Sequence, residues 1–381
     1  MDTVPNFLED EEFDEVPTRS AQSSADTAPV FGEPGFGKGR SNPRKGSPRA
    51  RVTERDIPIV YFLGHFVGAD VEACSLLNTA KTTSFGNTQI GGGLTSISTT
   101  QNRLDKLRTL AVVDRYRHPV SGTYSYGLTA AGFAAAREYG LDMEHGRSLN
   151  GIAVSRLPHY RAIALVAAKF ASPAGYFRKA GIEPVPLEKL VSENRMRAAY
   201  EPVREEMKQR KTEGKTHSFG EWRDTTLTKA LDEVRAGTLP ASELIDAYPS
   251  LLTLGVKQGD GVRAKPVHQP DLVVNLDAAR QSQGDKIGWA NSVLVEVERS
   301  IKDRAEYTRI LATFAYELKQ PNVVRRVFYF TTSSQVEKIL RDIDAAEGFG
   351  LFEKGKLTII RLTGRDNQPV ANKRRVITGG N

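Results

Sequence analysis

The sequence predicts an α/β protein, α+β overall, built as a mostly helical unit followed by a mixed α/β unit. Three observations carry that expectation. Apolar residues recur at helical spacing through residues 56–145, interrupted by one hairpin signal. Residues 266–363 alternate β-rich and helical runs in the order strand–strand–helix–strand–helix–strand, which suits a layered α/β sheet. At 381 residues, with 39% hydrophobic and 26% charged residues, the chain is long enough for two cores and globular in composition. No apolar run reaches the length of a membrane-crossing helix, and the acidic stretch from Met1 to Glu12 has no apolar signal core. A cytoplasmic protein with no membrane partner is expected. The single cysteine, Cys74, excludes an internal disulfide and a Cys-based zinc site, and reads as a small buried hydrophobe rather than a nucleophile.

Charge is unevenly spread. The chain carries a net +7, yet residues 1–17 hold seven acids (Asp2, Glu9, Asp10, Glu11, Glu12, Asp14, Glu15) and no Lys or Arg, so the remainder stands at +14. That excess favours a polyanionic partner, although a solvated basic face has the same composition. Residues 1–52 read as a disordered tail. Their acidic tip gives way to a Ser-, Pro- and Gly-rich stretch and then a basic cluster of Lys38, Arg40, Arg44, Lys45, Arg49 and Arg51. The cluster is suited to touching phosphates or, more plainly, to keeping the chain in solution.

Within the first unit, Ile57 to Val67 predicts an apolar helix. Asp70 is placed to cap a second helix carrying Val71, Cys74 and Leu77. The Gly91–Gly93 run has no Lys-Ser/Thr after it, which excludes a P-loop. Ser96 to Leu110 predicts a third helix, with Ile97, Leu104, Leu107 and Leu110 inward and Thr99, Gln101, Asn102, Arg103 and Lys106 elsewhere. Ala111–Arg117, a turn at His118–Thr123 and Tyr124–Leu128 predict a β-hairpin, and Thr129 caps a fourth helix from Ala130 to Tyr139.

The second unit opens with a helix over Leu157–Phe170 and another from Leu187 that carries Glu193. Residues 201–264 are highly charged and read as an insertion or mobile connection. Strands follow at Asp271–Leu276 and Val293–Glu298, then a helix at Asp303–Lys319 with Ile310, Leu311 and Phe314 inward. Strand Val327–Thr331, helix Ser334–Ile343 and strand Leu357–Leu362 complete the order, with residues 364–381 expected to fray. Tyr307 and Tyr316 fall on a helix as packing residues and mark no nucleophile.

The chemistry concentrates in three acids. In a strand, Glu296 and Glu298 share one face while Val295 and Val297 take the other. An apolar strand carries two such carboxylates where they meet solvent or bind something. With Asp271 on the neighbouring strand, the three converge and form an oxygen-rich spot suited to Mg2+ or Mn2+. The plainer alternative is that Asp271 caps a turn and both glutamates face water. Lys302, four residues after Glu298, is placed to return its amine over the acids. Glu193 is either a further acid of the site or a surface residue paired with Arg197 at i+4.

Pro270-Asp271 followed by Glu296-Val297-Glu298 resembles the acid pattern of the PD-(D/E)xK nuclease-like fold, with Glu298 standing where that family has Lys. The helix–helix–helix–hairpin–helix order resembles a winged helix-turn-helix. The likeness is closest where Leu107-Arg108-Thr109-Leu110-Ala111-Val112-Val113 leads to Tyr126-Gly127-Leu128-Thr129-Ala130-Ala131-Gly132. That resemblance implies a third helix reading the major groove through Thr99, Gln101, Asn102, Arg103 and Lys106. It also implies a wing gripping phosphate through Arg115, Arg117 and His118.

Together with Leu190-Val191-Ser192-Glu193-Asn194-Arg195-Met196-Arg197, His268-Gln269-Pro270-Asp271 and Val295-Glu296-Val297-Glu298-Arg299, these motifs resemble the replication-relaxation family over residues 56–345, apart from 201–264. The resemblance implies a winged helix-turn-helix at 53–147 and a restriction-endonuclease-like three-layer α/β domain at 148–363. It implies double-stranded DNA as partner, in replication, relaxation or DNA processing of a plasmid, phage or integrative element of actinobacteria and related bacteria. Replication or mobilisation proteins and a second copy of the chain are further expected partners. For a metal-dependent nickase or endonuclease, Asp271 and Glu296 would hold Mg2+ or Mn2+, Glu298 or Glu193 would add a ligand or a base, and Lys302 would stabilise developing charge. The alternatives are a non-catalytic DNA-binding accessory factor and a winged-helix transcription regulator.

Overall fold

Helices and a five-stranded mixed sheet give the molecule an α/β architecture. The computed structural model describes residues 52–77, 94–119, 121–214, 219–256, 267–283, 286–319 and 323–364, all within the unit Arg51–Asn381. The acidic tip, the basic cluster, the Gly91–Gly93 run and the last tail lie outside the described residues.

Helices α1 (Ile57–His65), α2 (Val71–Leu76) and α3 (Ile97–Thr109) lead into the antiparallel hairpin of β1 (Val113–Arg117) and β2 (Tyr124–Leu128), and α4 (Ala130–Glu138) follows. Each later helix start is closed by a side chain: Asp70 accepts from Ala73 N, Ser96 from Thr99 N and Thr129 from Gly132 N. Ile97, expected inward, is 46% exposed, while Thr100 is buried beside Leu104 and Leu107. The helix begins at Ile97, so its first residue projects past the core and the buried face starts one turn later. A Cβ on Gly132 would stand 2.0 Å from Val112 O, so only glycine lets α4 start against the entry to β1.

Helix α5 (Leu157–Ala171) is buried along its whole middle, from Ala162 to Phe170. A helix that is apolar all round must lie between two layers, and α5 does so: one continuous core joins α1, α2, α3 and the hairpin to α5 and to one face of the large sheet. The remaining elements are β3 (Leu190–Ser192), α6 (Glu193–Thr212), α7 (Phe219–Ala236), α8 (Leu244–Ala247), β4 (Leu272–Gln283), β5 (Lys286–Glu298), α9 (Arg304–Lys319), β6 (Val324–Thr331), α10 (Ser334–Ala346) and β7 (Leu357–Arg361). The sheet runs β3-β4-β5-β6-β7, antiparallel from β3 to β5 and parallel from β5 to β7.

Alternation divides the sheet between two cores. Leu272, Val274, Val293, Val295, Val297, Phe328 and Phe330 face α5, while Val273, Leu294, Val327 and Tyr329 face α7, α9 and α10. Two stretches depart from expectation. Leu190–Ser192, read as helix, pair with β4 as a short strand, and the Ser192 side chain accepts from Arg195 N to start α6. Nor does the chain leave the fold at residue 201: α6 runs on to Thr212 with Pro202 inside it, and Leu227, Ala230, Leu231 and Val234 of α7 pack in the second core. The charges that suggested an insertion are a solvated helix face, laced at i+3 and i+4 by Lys208 with Glu205 and Arg210 with Glu206. Among the described residues, no helix is long and apolar enough to cross a membrane.

Candidate functional site

The antiparallel register Leu272↔Val295 brings the residue that enters β4, Asp271, to the carboxyl end of β5, where Glu296 and Glu298 sit. Strand alternation does the rest: Val295 and Val297 face the α5 core, and Glu298 meets Tyr329 on the opposite face. Both glutamates are only 6% exposed, so the outward-facing alternative for them is wrong. A carboxylate buried that deeply needs a cation or several donors, and each acid has its own.

Asp271 Oδ2 accepts from Val297 N at 2.7 Å, and Oδ1 lies 2.9 Å from His159 Nε2 on α5. Glu296 Oε1 lies 2.7 Å from His268 Nε2, in the segment just before β4. Glu298 accepts from Ser300 N and Oγ at 3.2 and 3.3 Å, from Tyr329 Oη at 3.3 Å, and stands 3.3 Å from Lys302 Nζ. Lys302 also reaches Glu306 at 3.2 Å. It lies just ahead of α9, so the spacing of four residues does carry the amine back over Glu298. Glu193 opens α6 and meets Arg197 Nη2 at 2.5 Å, as i+4 spacing requires, with Arg156 at 3.9 Å. Among the described residues its Oε2 is buried with no hydrogen-bond partner, as is the Tyr160 hydroxyl.

Proton affinities follow from this pairing. Burial disfavours charge on His159, but the hydrogen bond and negative charge of Asp271, backed by Glu193 and Glu296, outweigh it and raise the imidazole above its ordinary value. His268 behaves alike: burial works against its charge, and Glu296 more than restores it. Burial also pushes the Glu296 carboxyl up against the pull of His268, so both directions keep a proton within the pair. For Lys302, burial is overcome by Glu296, Glu298 and Glu306, which hold the amine charged.

The same contacts test the site against a divalent ion. Among the described residues, no three His, Cys, Asp or Glu side chains are placed to hold one. Asp271 spends both oxygens on His159 and Val297 N, Glu296 holds a proton jointly with His268, and Glu298 is matched by the Lys302 ammonium. Mg2+ or Mn2+, held through one or two carboxylates and waters, would need Asp271 and Glu296 to exchange His159 and His268 for the ion. What the arrangement can do is hold protons and fixed positive charge at the end of the sheet. His159 and His268 are the members that sequence reasoning left out of the site, although both stand in segments it had marked.

The second candidate surface is α3 with the hairpin. Thr99, Asn102 and Lys106 are exposed and lie at i, i+3 and i+7 on one helix face, and Arg117 is exposed on β1. A shallow cavity of about 800 Å3 runs beside Thr99, Asn102 and Lys106, lined also by Arg55 and Tyr139. The other four expected contacts make bonds within the fold. Gln101 donates to Asp105 Oδ2 at 3.1 Å and to the Tyr126 hydroxyl at 2.9 Å. Arg103 pairs with the buried Asp56 at 2.7 Å, and Arg115 pairs with Asp105 at 3.1 Å while stacking on Tyr124. His118 accepts within its own turn from Ser121 N. No family model, curated protein or solved structure matches the chain.

Proposed function

We propose that the chain is a duplex-DNA-binding protein of the replication-relaxation kind, with residues 53–147 acting as a winged helix-turn-helix and 148–363 as a restriction-endonuclease-like companion. One observation carries the reading. A three-turn helix presents Thr99, Asn102 and Lys106 along a single exposed face, beside a hairpin that offers Arg117. An amide and hydroxyl suit base edges, and a Lys and an Arg suit phosphates. The basic balance of the chain beyond its acidic tip supports the same partner.

In this reading the acid cluster is an ion-paired framework, and the protein is an accessory factor in replication or processing of a mobile element. Fluorescence anisotropy with a labelled duplex, titrated across salt, tests it. Binding that weakens with salt and is lost in Asn102→Ala with Lys106→Ala is expected, with Asp271→Asn and Glu296→Gln binding as the parent does. Binding insensitive to salt, or untouched by the α3 substitutions, overturns it. The nickase reading rests on the gathering of Asp271, Glu296, Glu298 and Lys302 at one sheet end. It requires Asp271 and Glu296 to release His159 and His268. Mg2+- or Mn2+-dependent nicking of supercoiled plasmid, abolished by both acid substitutions, would put it in place of the accessory role.

A further inference from the structure

A second cavity, of about 340 Å3, lies on the α9 side of the acid cluster. Lys302, Glu306, Arg309 and Thr313 line it as successive steps of three or four residues, the spacing of one helix face continued from the turn before α9, and His268 closes it from across the sheet end. Most of these groups are already spoken for. Glu306 and Glu298 share Lys302, His268 is bonded to Glu296, and Asp303 accepts from Glu306 N at 2.6 Å to start the helix. The Thr313 hydroxyl donates to Arg309 O.

Arg309 is the exception. Its side chain is half-buried in the cavity wall, and its guanidinium has no hydrogen-bond or ion-pair partner among the described residues. A guanidinium presents five donors in a rigid planar fork matched to the paired oxygens of a phosphate or carboxylate. The Lys302 amine lines the same cavity as a point charge. The volume fits a group of roughly mononucleotide size and is too enclosed for a continuous duplex, which separates this cavity from the open α3 face.

We propose that this cavity binds a phosphate monoester of a nucleotide, with Arg309 as the fork that recognises it and Lys302 as the second cation. The monoester belongs either to a free nucleotide or to the phosphorylated end of a strand. Because the Arg309 guanidinium makes no hydrogen bond or ion pair among the described residues, replacing it leaves folding intact, and the site can be tested on the full chain.

Isothermal calorimetry with dAMP, deoxyadenosine and inorganic phosphate is the measurement, on the parent, Arg309→Gln and Arg309→Lys. The expected result is binding of dAMP but not deoxyadenosine, weakened at least tenfold by Arg309→Gln and less by Arg309→Lys, with unchanged urea midpoints. A 5′-phosphorylated oligonucleotide preferred over its 5′-hydroxyl form identifies a strand end as the source. Binding of dAMP without that preference identifies the free nucleotide. No heat with dAMP or phosphate at millimolar concentration, equal binding of deoxyadenosine, or unchanged affinity in Arg309→Gln overturns the proposal. None of these results depends on whether α3 binds duplex DNA.

Discussion

Arg103 and Lys106 stand three residues apart on α3, and the structure predicts opposite consequences for losing them. Arg103 donates from Nε and Nη2 to Asp56 Oδ1 at 3.0 and 2.7 Å, and Asp56 is 2% exposed. Breaking a fully buried pair from one side costs about 3–5 kcal/mol. Here Arg103 is 22% exposed, and Asp56 keeps the Thr53 N–H at 2.8 Å and hydroxyl at 2.7 Å. Arg103→Met should therefore destabilise the fold by about 2 kcal/mol. Lys106 is exposed, and Lys106→Met should leave stability within about 0.5 kcal/mol. Its loss should instead remove one phosphate contact, flattening the slope of log K against log salt by about 0.9. Urea titration reads the first effect and anisotropy across salt the second, at a temperature where Arg103→Met is still folded. An unchanged urea midpoint in Arg103→Met, or an unchanged salt slope in Lys106→Met, would refute the division of α3 into a structural face and a binding face.

Other outcomes follow from burial and pairing. Burial pushes the Asp70 carboxyl from 3.8 up to about 6, against the pull of Ala73 N and Arg161. A raised folded value means stability present below 3.8 and lost as pH rises through about 6. Asp70→Asn, which can still cap α2, should erase that loss and be more stable at pH 8 by up to about 3 kcal/mol in urea titrations. His159 sits above its ordinary 6.5 because of Asp271, so its contribution is full below 6.5 and fades as pH rises through the higher folded value. In Asp271→Asn the imidazole resonance should titrate at lower pH, and an unmoved titration counts against the pairing. Cys74 is fully buried and its thiol is pushed up by burial, so a thiol reagent should react only as fast as the chain opens. Arg223, 2% exposed, holds Leu251 O, Thr253 O and Glu317, so Arg223→Met should cost about 3–5 kcal/mol, and Arg223→Met with Glu317→Leu much less. Equal losses in the single and double variants would mean that an unpaired buried Glu317 is not what makes the single change costly.

The acids were legible in the sequence and their partners were not, for a physical reason. Period two puts Glu296 and Glu298 on one face whatever the rest of the chain does, and the paired β-rich runs put Asp271 beside them. The neutralising groups obey no local period. His159 stands 112 residues before Asp271 on a helix whose apolar face drew attention instead, and His268 reaches Glu296 from 28 residues away. Lys302 alone announced itself, because only four residues separate it from Glu298. The same asymmetry governs α3. Leu104 and Leu107 fix its inner face, but whether a flanking Gln or Arg meets water or an internal acid depends on Asp56 and Tyr126, brought there by α1 and β2. Expectation therefore gave all eight basic and polar residues to the ligand, and tertiary structure gave Gln101, Arg103, Arg115 and His118 partners within the fold. A strand of three residues, Leu190–Ser192, is likewise too short to show its period against a helix that starts at its end. Where charge is buried, its role is set by the partner that neutralises it. Arg309 is the converse case: no described residue supplies an acceptor for its fork of donors, which leaves the fork open to one from outside.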